Sequence, residues 1–168
     1  MMIARVTPES HYSTGRPDYI VGGNITSTTL GVLDFWTTGG EMGSNYGYWK
    51  VIVNCNIFFD KIDASPIETT LKNRMIGEMR FLRAYAYLKL VAFFGGVPLI
   101  TKPFSLTENL GVARNTYDEC MNFVVSEFDE AANLLPLDYT DADKAKITMG
   151  AARSDESRAG PACRSRLS

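Results

Sequence analysis

Few residues in this chain are of a type and spacing that could do covalent chemistry. The single histidine, His11, stands in an irregular N-terminal stretch with no nucleophile at a motif spacing, which gives no support to a His-based triad or a metal site. The carboxylate pairs Asp129-Glu130 and Asp141/Asp143 fall on a helix face and in a polar loop, where solvation accounts for them. Glycoside hydrolysis instead needs two carboxyl groups opposed across a bond. Cys55, Cys120 and Cys163 are too few and too scattered for a disulfide framework or a zinc site, and Cys55 and Cys120 read as small core residues. The chain is therefore expected not to be an enzyme, with no catalytic residue, no metal and no other cofactor.

Binding chemistry has a better foothold. Trp36, Glu41, Asn45 and Tyr46 fall within eleven positions on a Gly-rich backbone. Flat aromatic faces stack on the C–H faces of pyranose rings while carboxylates and amides bond hydroxyls, and such groups are usually displayed on loops. These four are the candidate ligand contacts; the alternative for Trp36, a plug in the core, stays open. Trp49, Tyr85 and Tyr87 lie inside helical patterns and read as packing residues. A second cluster is Glu78, Arg80 and Arg83. Arg83 sits beside an apolar stripe with Glu78 five positions earlier and Arg80 near both, which suits a partly buried charge network that fixes the register of a helical hairpin. Gly95-Gly96 is followed by Val97-Pro98 and not by a helix start, so it is a turn and not a phosphate cradle.

The elements that must position these residues are helical. Residues 1–44 carry scattered glycines with no sustained period and read as irregular. From Tyr46 to Ile62, Tyr48, Ile52, Cys55, Phe59 and Ile62 line one helix face, with Asn45 or Ser44 as cap. Pro66 marks a turn, and a second helix over about 67–94 carries Leu71, Met75, Met79, Leu82, Ala86, Leu90 and Phe93 as its buried stripe. Gly95-Gly96 stops it and Pro98 prevents its resumption. After a loop, Asn115 or Thr116 caps a third helix, about 116–135, whose buried face is Tyr117, Met121, Val124, Phe128, Ala131 and Leu135. Helices with short turns predict an all-α fold of tetratricopeptide-like hairpins, with an irregular N-terminal segment and long loops.

A fourth helix opens at Thr148 to Ala152 and is expected to stop there, because residues 153–168 hold Leu167 as their one large apolar side chain and cannot cover the third helix. That tail reads as a frame or truncation artefact, with natural disorder as the alternative, and leaves the chain marginally stable. The 168 residues are 45% hydrophobic and 21% charged with a net charge of -2, a globular composition with no basic footprint for nucleic acid. No apolar run approaches the roughly 20 residues that span a bilayer.

The order Gly77-Glu78-Met79-Arg80-Phe81-Leu82-Arg83-Ala84-Tyr85-Ala86-Tyr87-Leu88-Lys89-Leu90, followed by Phe94-Gly95-Gly96-Val97-Pro98-Leu99-Ile100-Thr101, closely resembles the hallmark of the SusD/RagB family. Asn54-Cys55-Asn56, Arg114-Asn115-Thr116-Tyr117 and Ala131 to Pro136 extend the resemblance over about residues 46–152. The resemblance implies a tetratricopeptide-like, surface-exposed, lipid-anchored protein of the outer membrane that captures oligosaccharide, or in some members peptide. Its implied partner is a SusC-like TonB-dependent transporter, to which the cargo is handed. The family's lipoprotein signal and acylated cysteine have no counterpart in the sequence. A tetratricopeptide-like scaffold that binds protein or peptide partners is the alternative.

Overall fold

The structure, a computed structural model, describes residues 47–103, 111–139 and 146–159, together with the backbone of residues 6–7 and 10–11. It divides into two units, residues 1–47 and 48–168. In the first, β1 (Val6–Thr7) pairs antiparallel with β2 (Ser10–His11), placing Val6 opposite His11. The expectation of an irregular N-terminal segment is thus amended by one short ladder. Trp36, Glu41, Asn45 and Tyr46 lie outside the described residues.

The second unit is helical: α1 (Tyr48–Ile62), α2 (Thr69–Phe94), α3 (Tyr117–Leu134) and α4 (Met149–Ala159). Each packs on the next in chain order, as tandem hairpins of the tetratricopeptide type do. α1 buries Tyr48, Ile52, Cys55 and Ile62, the face that the four-and-three spacing predicts, and adds Asn56. α2 begins at Thr69 because Glu68 caps it: the carboxylate accepts from the N–H groups of Thr70 at 2.8 Å and Leu71 at 3.1 Å. Those bonds hold the Glu68 carboxyl below its usual range. Gly95, at φ 70°, ends α2 in the left-handed region, and its N–H reaches Val91 O at 2.9 Å.

The buried face of α2 departs from the expected stripe. Leu71, Leu82 and Phe93 are exposed, while Gly77, Arg83, Ala84, Ala86, Tyr87, Leu90 and Val91 are buried. The true face is turned by roughly a quarter turn from the apolar line, at about 3.6 residues per turn. The cause is that α2 is flanked by α1 and α3 on adjoining sides and buries small and charged residues between them. Gly77 lies on this face, where an added Cβ would come within 3.1 Å of Leu134 and Leu135.

α3 starts with a capping box: Thr116 Oγ1 accepts from the Glu119 N–H at 3.2 Å, and the Glu119 carboxylate accepts from the Thr116 N–H at 2.8 Å. Met121, Val124, Phe128, Ala131 and Leu135 are buried as expected. Tyr117, expected on that face, is instead exposed at 44%.

α4 corrects the expectation that the fourth helix stops at Ala152. It runs to Ala159, since Arg, Ser, Asp, Glu and Ala all sustain a helix and the next proline is Pro161. Its first turn covers α3 with small contacts. Ala152 is buried against Ala131, Ala132 and Leu135, flanked by Phe81, Ile147 and Met149, and the Met149 N–H donates to Pro136 O at 3.0 Å. Large apolar side chains were not needed, because alanines facing alanines bring the two helices close. Residues 160–168, with Cys163 and Leu167, lie outside the described residues.

Candidate functional site

The polar centre of the helical unit is built around Glu127, which α3 presents at 5% exposure toward α2. One carboxylate oxygen accepts from Arg80 Nη1 at 2.6 Å. The other accepts from Arg83 Nε at 2.8 Å and faces Arg83 Nη2 at 2.7 Å. Arg83 Nη1 donates to Asn56 Oδ1 on α1 at 2.8 Å. The Arg83 guanidinium also lies over the Phe59 ring at 4.4 Å and the Phe123 ring at 5.6 Å. At the rim, Arg80 Nη2 pairs with Glu130 at 2.7 Å. Burying a charge is costly unless its lone pairs and protons are satisfied, and here one carboxylate and one guanidinium satisfy each other while joining three helices.

Arg80 and Arg83 therefore come together on Glu127, and Glu78 does not join them. Glu78 pairs instead with Arg74 at 3.6 Å, both about a quarter exposed, and accepts from the Tyr139 hydroxyl at 3.5 Å. Helix geometry explains the difference: residues five apart point to different sides, whereas those four apart are neighbours. Glu127 was missed, yet its signal was present in the sequence. It lies three residues after Val124 and four before Ala131, a carboxylate on the predicted apolar face of α3 that demands a buried cation. Asn56, noted for its place in the family pattern, had no role assigned from spacing.

The segment after α2 is held to the same centre. Asn56 Nδ2 donates to Ile100 O at 2.8 Å. The Tyr87 hydroxyl accepts from the Ile100 N–H at 2.7 Å and donates to Ile100 O at 3.1 Å. The Leu99 N–H donates to Asn115 Oδ1 at 3.0 Å, and the Asn115 N–H returns a bond to Val97 O at 3.2 Å. Arg114 caps the end of α2, donating from Nε to Gly96 O at 2.7 Å and from Nη2 to Phe94 O. Gly96 fits tightly: a Cβ there would stand 2.0 Å from Asn115 O.

Burial pushes the Cys55 thiol up from 9.0 to about 11, with Arg83 opposing and Glu127 adding to the rise. Burial likewise raises the Tyr87 phenol from 10.0 to about 12, offset by its bond to the Ile100 backbone and by Arg83. Both stay protonated near neutrality, so Cys55 is no thiolate nucleophile. Among the described residues, no group of His, Cys, Asp and Glu could hold a metal ion, and no helix is long and apolar enough to cross a membrane.

What the arrangement can do is brace. Every charged group at its centre is spent on another helix or on the segment leaving α2, and the fold with this centre defines a class: a tetratricopeptide-like helical protein locked by a buried Glu–Arg–Asn network. The family model of SusD-like proteins, described as starch-binding and associating with the outer membrane, matches residues 31–159, and the chain belongs to that family. The matched range runs past Ala152 to residue 159. A curated SusD-like protein of Formosa agariphila is 29% identical over 111 residues, covering 66% of this chain and 21% of the relative. A solved SusD-like protein of Bacteroides fragilis is 31% identical with a TM-score of 0.70, covering 80% of this chain and 25% of that one. A SusD-like carbohydrate-binding protein of the same species is 27% identical with a TM-score of 0.62, covering 76% and 26%. The chain thus spans about a fifth to a quarter of the length of these relatives.

Proposed function

We propose that this chain serves a non-catalytic glycan-binding protein of an outer-membrane uptake complex, one that captures oligosaccharide at the cell surface and delivers it to a SusC-like TonB-dependent transporter. The observation that carries the reading is the family match over residues 31–159, whose family is described as starch-binding and associating with the outer membrane. The carbohydrate-binding relative of Bacteroides fragilis supports the same cargo. In this reading the protein is lipid-anchored and surface-exposed. Trp36, Glu41, Asn45 and Tyr46 contact the sugar, the tryptophan and tyrosine by stacking and the carboxylate and amide by bonding hydroxyls. Glu127, Arg80, Arg83 and Asn56 hold the helices of the second unit together and touch no ligand.

Isothermal titration of the chain with maltoheptaose tests the cargo. Binding that weakens on Trp36→Ala supports the reading. No binding to neutral oligosaccharides, with binding to peptides instead, would favour the helical scaffold. Co-purification of the protein with a SusC-type transporter from outer membranes tests delivery, and failure to co-purify would remove that half of the proposal.

A further inference from the structure

A cleft of about 530 Å³ opens between the start of α2 and the chain leaving α3, within the size range of small-molecule sites. It lies well away from the first turn of α1. That turn meets α2 at Tyr87, where Trp49 packs edge-on at 6.2 Å. Leu71, on the cleft, is 16 positions earlier along α2, about 24 Å at a rise of about 1.5 Å per residue. The cleft's surfaces are of two kinds. Leu71, exposed at 41%, and Pro136 supply apolar area beside the Tyr139 ring. Around them stand the carboxylates of Glu68 and Asp138 and the guanidinium of Arg74.

The geometry points to this cleft as a contact site for a neutral sugar unit, with C–H groups against Leu71, Pro136 and Tyr139 and hydroxyls donating to Glu68 and Asp138. The charge balance selects against anions. Two carboxylates face one guanidinium, and that guanidinium already lies beside Glu78 at 3.6 Å and over the Tyr139 ring at 5.8 Å, so an anion would meet net repulsion. The acceptors are also pre-positioned. Glu68 is fixed by the Thr70 and Leu71 N–H groups, and Asp138 Oδ1 by the Tyr139 N–H at 2.8 Å. A carboxylate has about four lone-pair sites, so such bonds leave it able to accept from hydroxyls, and little ordering remains to be done on binding.

The inference rests on the carbohydrate reading above, and the experiment separates the two. The 168-residue chain is titrated calorimetrically with maltoheptaose and with an oligogalacturonate, beside Tyr139→Ala and Asp138→Asn, the fold of each variant being checked by circular dichroism. Asp138→Asn keeps an acceptor for the Tyr139 N–H and removes the charge and the second acceptor oxygen, so it stands in should Tyr139→Ala misfold. The expected result is binding of the neutral sugar, weakened about tenfold by either variant, with weaker or no binding of the anionic one. Unchanged affinity in folded variants overturns the cleft and leaves the proposed function standing. Absence of maltoheptaose binding to the unaltered chain overturns both.

Discussion

Replacing Glu127 by alanine should be the most damaging single change in the helical unit, and its cost can be worked from the contacts. The substitution removes the acceptor of Arg80 Nη1 at 2.6 Å and of Arg83 Nε at 2.8 Å, together with the 2.7 Å approach of Arg83 Nη2. Arg80 keeps Glu130 and, at 25% side-chain exposure, recovers water; Arg83, at 8%, keeps Asn56 Oδ1 and the Phe59 and Phe123 rings. Breaking a buried pair from one side costs about 3–5 kcal/mol. A urea slope of about 1–3 kcal/mol/M turns that into a midpoint lowered by roughly 2 M. Glu127→Gln keeps the shape but loses the charge and turns one acceptor into an amide NH2 facing an arginine donor, for about 2 kcal/mol or more. Glu78→Ala, by contrast, removes an i,i+4 pair near the surface and should cost no more than about 0.5 kcal/mol. Urea unfolding followed by circular dichroism measures all three. A loss for Glu127→Ala within about 1 kcal/mol of that for Glu78→Ala would refute the brace. Replacing both partners, Arg83→Met with Glu127→Leu, should recover much of the loss, since apolar pairs of similar volume often match buried ion pairs.

Stability should also fall in alkali. Cys55 and Tyr87 have folded pKa values raised to about 11 and about 12, so their contribution is whole below their unfolded values of 9.0 and 10.0 and is lost as pH rises through the folded ones. Each two-unit gap corresponds to on the order of 3 kcal/mol, and denaturation midpoints of Cys55→Ala across that range should decline less steeply than those of the unaltered chain. On the acid side, Glu68 and Glu119 have lowered folded values, so their contribution is present above 4.5 and lost as pH falls through the folded values. Glu119→Gln should flatten that acid limb in the same titration. Thr116→Ala should cost about 1 kcal/mol by opening the capping box, read as a lowered thermal midpoint. Gly96→Ala should destabilise more than Gly95→Ala, because its Cβ would collide with backbone while the latter meets only a positive φ; equal melting temperatures would contradict this.

The spacing of residues made the helices legible but misplaced part of what they bury. α1 was readable over most of its face, because Tyr48, Ile52, Cys55 and Ile62 of its apolar stripe are buried, with Phe59 half-buried and Asn56 added. α2 was readable in extent, expected over about 67–94 and found over Thr69–Phe94, and not in orientation. The charge spacing did suggest a partly buried Arg83, but a periodicity of apolar residues cannot show that Leu71 and Leu82 point out. α4 was cut short because its packing depends on Ala152 and on close approach, which hydrophobic size does not report. The partner of Arg83 was hidden for a different reason. Glu127 is 44 positions away, and local helix rules reach only to the third and fourth neighbours.

These failures and the recognisability of the chain share one cause. The order from Gly77 to Tyr87 in α2 is unusual because it sets Gly77, Arg83, Ala84, Ala86 and Tyr87 on one buried face, where an ordinary amphipathic helix would set leucines. Arg83 needs Glu127 from α3 and Asn56 from α1; Tyr87 needs the backbone of Ile100; Gly96 needs the bare approach of Asn115. Each requirement fixes a residue type rather than a hydrophobicity, so the stretch carries a specific pattern. Because each is met inside the helical layer, the same residues are withdrawn from ligand chemistry. The binding proposals therefore rest on other residues, the cleft at Tyr139 and those before α1, and the most recognisable helix carries none.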